Sequence, residues 1–89
     1  MLLDEQAGVQ ESAVIGAPHR DLGEAVVAIV TPRNGAVLSE AVLLAGIGDR
    51  LARFKQPRRI FIADELPRNT MGKVQKNVLR ERYKDVFAG

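Results

Sequence analysis

Residues 25–31 read Ala-Val-Val-Ala-Ile-Val-Thr, and no other stretch limits the possible folds as strongly. A β-branched run without polar interruption is a strand whose two faces both need cover. Something must therefore pack on each side of its sheet, and a chain of 89 residues has room for one such sheet. Upstream, Val9 to Ile15 reads as a second strand, with Ala13, Val14 and Ile15 as its apolar core. Gly16-Ala17-Pro18-His19 ends it, because proline lacks a ladder donor and restricts the residue before it. Asp21-Leu22-Gly23-Glu24 reads as a turn, so the two strands form a hairpin. Pro32-Arg33-Asn34-Gly35 is the next turn cluster. Ser39 is an N-cap candidate with Glu40 beside the helix N-terminus. Leu43, Ile47 and Leu51 follow at four-residue spacing on one helix face, although Gly46 and Gly48 weaken that helix by about 1 kcal/mol each relative to alanine.

A basic loop, Arg53 to Arg59, holds Phe54 and Pro57 and leads into a short third strand, Ile60-Phe61-Ile62. Asp64 to Gly72 is a polar loop, and Val78, Leu79, Tyr83, Val86 and Phe87 mark a closing helix. The order strand, strand, helix, strand, loop, helix predicts the α+β class. One domain, residues 1–89, is expected, with a small, mostly antiparallel sheet of about three strands and helices packed against it.

Composition narrows the function. A 46% hydrophobic, 27% charged chain argues against disorder. The absence of cysteine removes disulfides and thiolate metal sites, and the single His19 cannot make a metal cluster alone. No apolar run approaches a membrane span and no signal peptide is recognisable, so a cytoplasmic location without membrane contact is the expectation. Charge is unevenly spread. Residues 1–49 carry Arg20 and Arg33 against seven acids, a net of −5, whereas residues 50–89 carry eleven bases and four acids, a net of +7. A basic half suits an anionic partner: a nucleotide, coenzyme A or nucleic acid. A small nucleic-acid-binding module is the rival reading. It is disfavoured because the bases lack aromatic interleaving beyond Phe54 and Phe61 and no recognised motif is present.

The segment Leu66 to Lys76, LPRNTMGKVQK, is where chemistry concentrates. Pro67 stiffens its entry, Gly72 permits a close approach or an unusual backbone angle, and Lys73 ends what reads as a flexible polar loop. A lysine there is a mobile point charge on a long stem, suited to holding two mutually repelling anions such as a carboxylate and a phosphate. A Gly-Lys pair alone reads as a solvated lysine, and this is not a P-loop, since Val74 occupies the hydroxyl position. The longer pattern adds to this. Leu66, Pro67, Gly72, Lys73, Val74 and Lys76 resemble the last core motif of the adenylate-forming superfamily: acyl-CoA synthetases, peptide-synthetase adenylation domains and luciferases. Glu11 to Gly16, Pro18-His19 and Gly23-Glu24 are similar to that family's strand-loop-strand region, and Arg53 to Arg58 to the segment between. The resemblance covers Gly8 to about Asp85, with the three blocks in order, and LPRNTMGKVQKNVLR looks closest to malonyl-CoA synthetases.

The resemblance implies the mobile C-terminal domain of an acid:CoA ligase that forms AMP and pyrophosphate. It implies ATP, Mg2+ and CoA as the requirements of the full-length enzyme, none of them held by this domain alone. Lys73 matches the adenylation lysine, with Gly72 and Arg68 in the same substrate and ATP loop. Phe54, Lys55 and Arg58 match positions near the CoA nucleotide after a domain rotation. The partners implied are the enzyme's own N-terminal adenylation domain and, because matching lysines are acetylation targets, a lysine acetyltransferase and deacetylase. Delivery to a carrier protein instead of CoA is the alternative within the family. The family hinge lies upstream of Gly8 and is absent, so the expectation is an excised domain, inactive by itself.

Overall fold

Each face of residues 25–31 does meet a helix. The computed structural model describes residues 8–47 and 56–88. The elements are β1 (Val9–His19), β2 (Gly23–Pro32), α1 (Glu40–Ile47), β3 (Arg59–Ile62) and α2 (Lys76–Arg82), and the sheet order is β1-β2-β3. β1 and β2 pair antiparallel from Val9 opposite Pro32 to His19 opposite Gly23. β3 pairs parallel to β2, from Val27 opposite Arg59 to Val30 opposite Ile62, because α1 carries the chain back before β3 begins. The sheet is thus mixed, with the longer ladder antiparallel.

Alternation along β2 divides the core. Ala28 and Val30 pack with Val9, Ile60 and Leu43 of α1 on one face. Val27 and Ile29 pack with Ala13, Ile15, Ala17, Leu66 and Leu79 of α2 on the other. β1 serves both faces because its register shifts between Val9 and Glu11. One extra residue in a strand reverses which side its neighbours face, so Val9 joins the α1 side while Ala13 and Ile15 lie beneath α2. At that shift the Glu11 N–H donates to the Thr31 hydroxyl at 3.1 Å, which gives this buried polar side chain a partner.

α1 is fastened at its start. Ser39 Oγ accepts a long bond of 3.5 Å from the Val42 N–H. The Glu40 carboxylate accepts from Arg59 Nε at 2.7 Å and from the Ile60 N–H at 2.8 Å, which ties the first turn of α1 to β3. Of the expected apolar stripe on this helix, Leu43 is buried, while Leu51 lies outside the described residues, as does the helix-weakening Gly48.

Two boundaries differ from the sequence reading. β1 does not stop at Ile15 but continues through Gly16, Ala17 and Pro18 to His19. It is an edge strand, where a missing N–H costs no ladder bond if it faces outward, so Pro18 is tolerated opposite Glu24. The turn is consequently tighter, residues 20–22, and Gly23 follows at φ +76°, a left-handed angle that glycine adopts without steric cost. The closing helix is also shorter than its apolar spacing predicts. It ends at Arg82 with Tyr83 as C-cap, and the Val86 N–H then bonds the Tyr83 carbonyl in a turn. Tertiary contacts override the helical spacing here: Tyr83 stacks on Phe61 of β3 at 4.8 Å, while the Phe87 ring lies 5.1 Å from His19 at the end of β1. No helix of the described residues is long and apolar enough to cross a membrane.

Candidate functional site

The loop that carries Lys73 starts from the core. Leu66 is buried against the α2 side, and beyond it the backbone forms a small hairpin. Arg68 and Val74 pair as an isolated antiparallel bridge. The Gln75 N–H donates to the Pro67 carbonyl at 2.8 Å, and the Asn69 N–H to the Lys73 carbonyl at 3.0 Å. Asn69 organises the tip. Its Oδ1 accepts from the Met71 N–H at 2.9 Å and from the Lys73 N–H at 3.0 Å, while its own carbonyl accepts from the Gly72 N–H at 3.0 Å. Asparagine favours such self-closing turns because its amide oxygen reaches backbone donors two to four residues on. Gly72 stands at φ +82° with open space where a Cβ would lie, so it is the backbone angle and not crowding that calls for glycine.

Both the N–H and the carbonyl of Lys73 are therefore bonded while its side chain is exposed. The flexible loop expected from the sequence is instead a hydrogen-bonded hairpin with a long charged stem at its end. Among the described residues no salt bridge engages Lys73. Met71, 89% exposed, is its neighbour at the tip. This arrangement can present a cation to an anion approaching from outside the domain without moving the backbone.

Arg68, expected in the substrate and ATP loop, makes its contacts within the domain. Its Nη1 donates to the Gly72 carbonyl at 2.6 Å, and its Nη2 is bonded to the Glu11 carboxylate in β1. The guanidinium is thus committed within the domain. A groove of about 190 Å3 lined by Gln10, Glu11, Ser12, Leu66, Arg68 and Val74 lies along this contact.

The second expected cluster is only partly described. Phe54 and Lys55 lie outside the described residues. The Arg58 N–H donates to the Val26 carbonyl at 2.8 Å, and its side chain is exposed. Arg59 is occupied by Glu40 and lies over the Phe61 ring at 4.8 Å. His19 acts as a turn residue: its Nδ1 accepts from the N–H groups of Asp21 and Leu22 at 3.1 and 3.2 Å. The sequence reading missed Asn69 and Glu11. An Asn three residues before a Gly is a usable local sign of the first, but nothing local marks the second, which lies 57 residues from Arg68.

Comparison with known proteins decides the family. The family model for the AMP-binding enzyme C-terminal domain matches residues 2–73. The chain belongs to that family. This AMP-binding enzyme C-terminal domain is 51% identical over 77 residues to a 3-[(3aS,4S,7aS)-7a-methyl-1,5-dioxo-octahydro-1H-inden-4-yl]propanoyl:CoA ligase of Rhodococcus jostii, covering 86% of the chain and 15% of that protein. It is 46% identical over 76 residues to the long-chain-fatty-acid–CoA ligase FadD13 of Mycobacterium tuberculosis, covering 85% of the chain and 15% of that protein. Among solved structures it matches apo MatB from Rhodopseudomonas palustris with a TM-score of 0.93 and 56% identity, over 97% of the chain and 17% of MatB. The ATP-bound form of MatB gives a TM-score of 0.92 at 55% identity, with the same coverage. The domain thus spans 15% of the length of these curated relatives, and its mixed three-stranded sheet with two helices is the fold that MatB carries over the matched part.

The described residues fit some requirements of such an enzyme and not others. An exposed Lys73 on a fixed backbone fits a phosphate or carboxylate. Among the described residues no three His, Asp or Glu side chains converge, so they offer no cage for Mg2+. For CoA, Arg58 is the one expected contact that lies among the described residues.

Proposed function

We propose that this domain serves an AMP-forming acid:CoA ligase and supplies its adenylation lysine, Lys73. In the first half-reaction a carboxylate oxygen attacks the α-phosphorus of ATP; the new P–O bond forms as the bond to pyrophosphate breaks. Lys73 places one ammonium between the carboxylate and the α-phosphate, offsetting the repulsion of two anions and the charge that moves to the leaving group. In the second half-reaction the CoA thiolate attacks the acyl carbonyl and AMP departs. Lys73 has no part in that step. After a rotation of the domain, Arg58, with Phe54 and Lys55, meets the CoA nucleotide.

The observation that carries this reading is the hairpin of Lys73: backbone bonded on both sides, side chain exposed, in a domain whose relatives bear CoA-ligase names. Those names favour CoA over a carrier protein as acceptor. Malonate as the acid is supported by the resemblance of LPRNTMGKVQKNVLR to malonyl-CoA synthetases, although acid selection belongs to the larger N-terminal domain. On this reading the chain alone turns over nothing, and the enzyme works in the cytoplasm. Acetylation of Lys73 removes its charge and switches off the first step; mass spectrometry after incubation with an acetyltransferase and acetyl-CoA detects it, and modification confined to other lysines contradicts it.

The test is Lys73→Ala in the full-length enzyme. ATP–pyrophosphate exchange falls by about 100-fold or more, the scale for removing one charge-stabilising donor, while thioester formation from supplied acyl-adenylate stays within a few-fold. Equal loss in both halves contradicts the assignment.

A further inference from the structure

Among the described residues, the Arg68 guanidinium ties the Lys73 loop to β1. Arg68 Nη1 donates to the Gly72 carbonyl at 2.6 Å, and Nη2 is bonded to Glu11 of β1. Gly72 immediately precedes Lys73, so its carbonyl is part of the peptide whose N–H belongs to Lys73. That same N–H is bonded to Asn69 Oδ1 at 3.0 Å. One peptide unit is thus gripped at both ends, by Asn69 on its N–H side and by Arg68 on its carbonyl side. Glu11 in turn is placed by the register shift in β1 and by the bond from its N–H to Thr31. A continuous line of contacts runs from the buried Thr31 to the base of the catalytic stem.

We propose that Arg68 is a positioning residue for Lys73, with Glu11 as its anchor, and that the pair sets the orientation of the Gly72–Lys73 peptide for adenylation alone. The proposal rests on the adenylation role of Lys73. Only arginine suits the position, because its planar fork donates to a carbonyl and a carboxylate at once, whereas a lysine ammonium is a point charge on a flexible stem. The site is exposed, with Arg68 and Glu11 side chains at 38% and 39%, and lies outside the two buried clusters. Losing the clasp therefore spares the fold and loosens one peptide, and a misplacement on the order of 1 Å in a reacting group costs about 100-fold in rate.

The experiment uses the full-length enzyme with Arg68→Ala, Arg68→Lys, Glu11→Gln and, as reference, Lys73→Ala. Single-turnover rates of both half-reactions are measured, with KM for ATP. Arg68→Ala is expected to lower the adenylation rate by about 10- to 100-fold with KM for ATP within about three-fold, and to leave thioester formation within about two-fold. Arg68→Lys stays at least about five-fold impaired, since it keeps the charge and loses the fork. Glu11→Gln shows the same split, more weakly. Full recovery in Arg68→Lys overturns the proposal in favour of bulk charge, and parallel loss in both half-reactions overturns it in favour of general damage. A normal Arg68→Ala beside a dead Lys73→Ala overturns this inference alone. An adenylation-competent Lys73→Ala overturns the Lys73 reading and this inference with it.

Discussion

Among the described residues two glutamate–arginine pairs cross the domain, and they do different work. Glu40 with Arg59 joins α1 to β3, and Glu11 with Arg68 joins β1 to the Lys73 loop. Both are partly exposed, and exposed pairs contribute only about 0–1 kcal/mol. Each gains its meaning from a third, backbone partner. The Glu40 carboxylate also takes the Ile60 N–H, at the start of a buried strand residue, so that pair reports on the fold. Arg68 also takes the Gly72 carbonyl, beside an exposed lysine, so that pair reports on the loop. The chemistry of an ion pair says little about its role; the backbone group that it holds says more.

The comparison breaks most completely from beneath. Leu79 is fully buried next to Leu66, at the root of the loop. Leu79→Ala is expected to cost about 2–5 kcal/mol in urea unfolding, and to depress both half-reactions together. A selective effect on one half-reaction contradicts the view that the fold and the loop can be perturbed separately. Next in size is Glu40→Gln, at about 1 kcal/mol, with the two half-reaction rates unchanged relative to one another. It also has a pH signature. The Arg59 hydrogen bond, partly offset by burial and aided by the Ile60 N–H, holds the Glu40 carboxyl below its ordinary 4.5. A carboxyl depressed in the folded state contributes stability that is fully present above its unfolded value and is lost as pH falls through the folded one. Wild type should therefore lose urea stability more steeply than Glu40→Gln below about pH 4.5; parallel curves contradict the assignment. Smallest in stability is Asn69→Ala, a few tenths of a kcal/mol up to about 1 because both of its acceptor bonds are exposed. It nonetheless lowers adenylation several-fold, and a rate equal to wild type shows that the tip needs no help from Asn69.

Much of this was readable in the chain. The run from Ala25 to Thr31 demanded cover on two faces, and α1 and α2 provide it. The three strands, the Ser39 start of α1 and the Lys73 loop follow from local residue chemistry, as does the family. What escaped depends on contacts between distant residues. Pro18 continues β1 because that strand lies at an edge, a property of the sheet and not of the proline. Tyr83 and Phe87 keep helical spacing, yet their aromatic partners on β3 and β1 end α2 early. The Arg68–Glu11 contact spans 57 positions, so nothing local in the sequence shows where the Arg68 guanidinium is held. Phe54 and Lys55, proposed for CoA, rest on resemblance to the family.

The most direct test of the account is the ratio of two single-turnover rates, acyl-adenylate formation over thioester formation, in the full-length enzyme bearing Lys73→Ala and in its Glu40→Gln counterpart. The account predicts that the ratio collapses by about 100-fold or more in Lys73→Ala and does not move in Glu40→Gln. An unchanged ratio in Lys73→Ala, whatever the absolute rates, contradicts it.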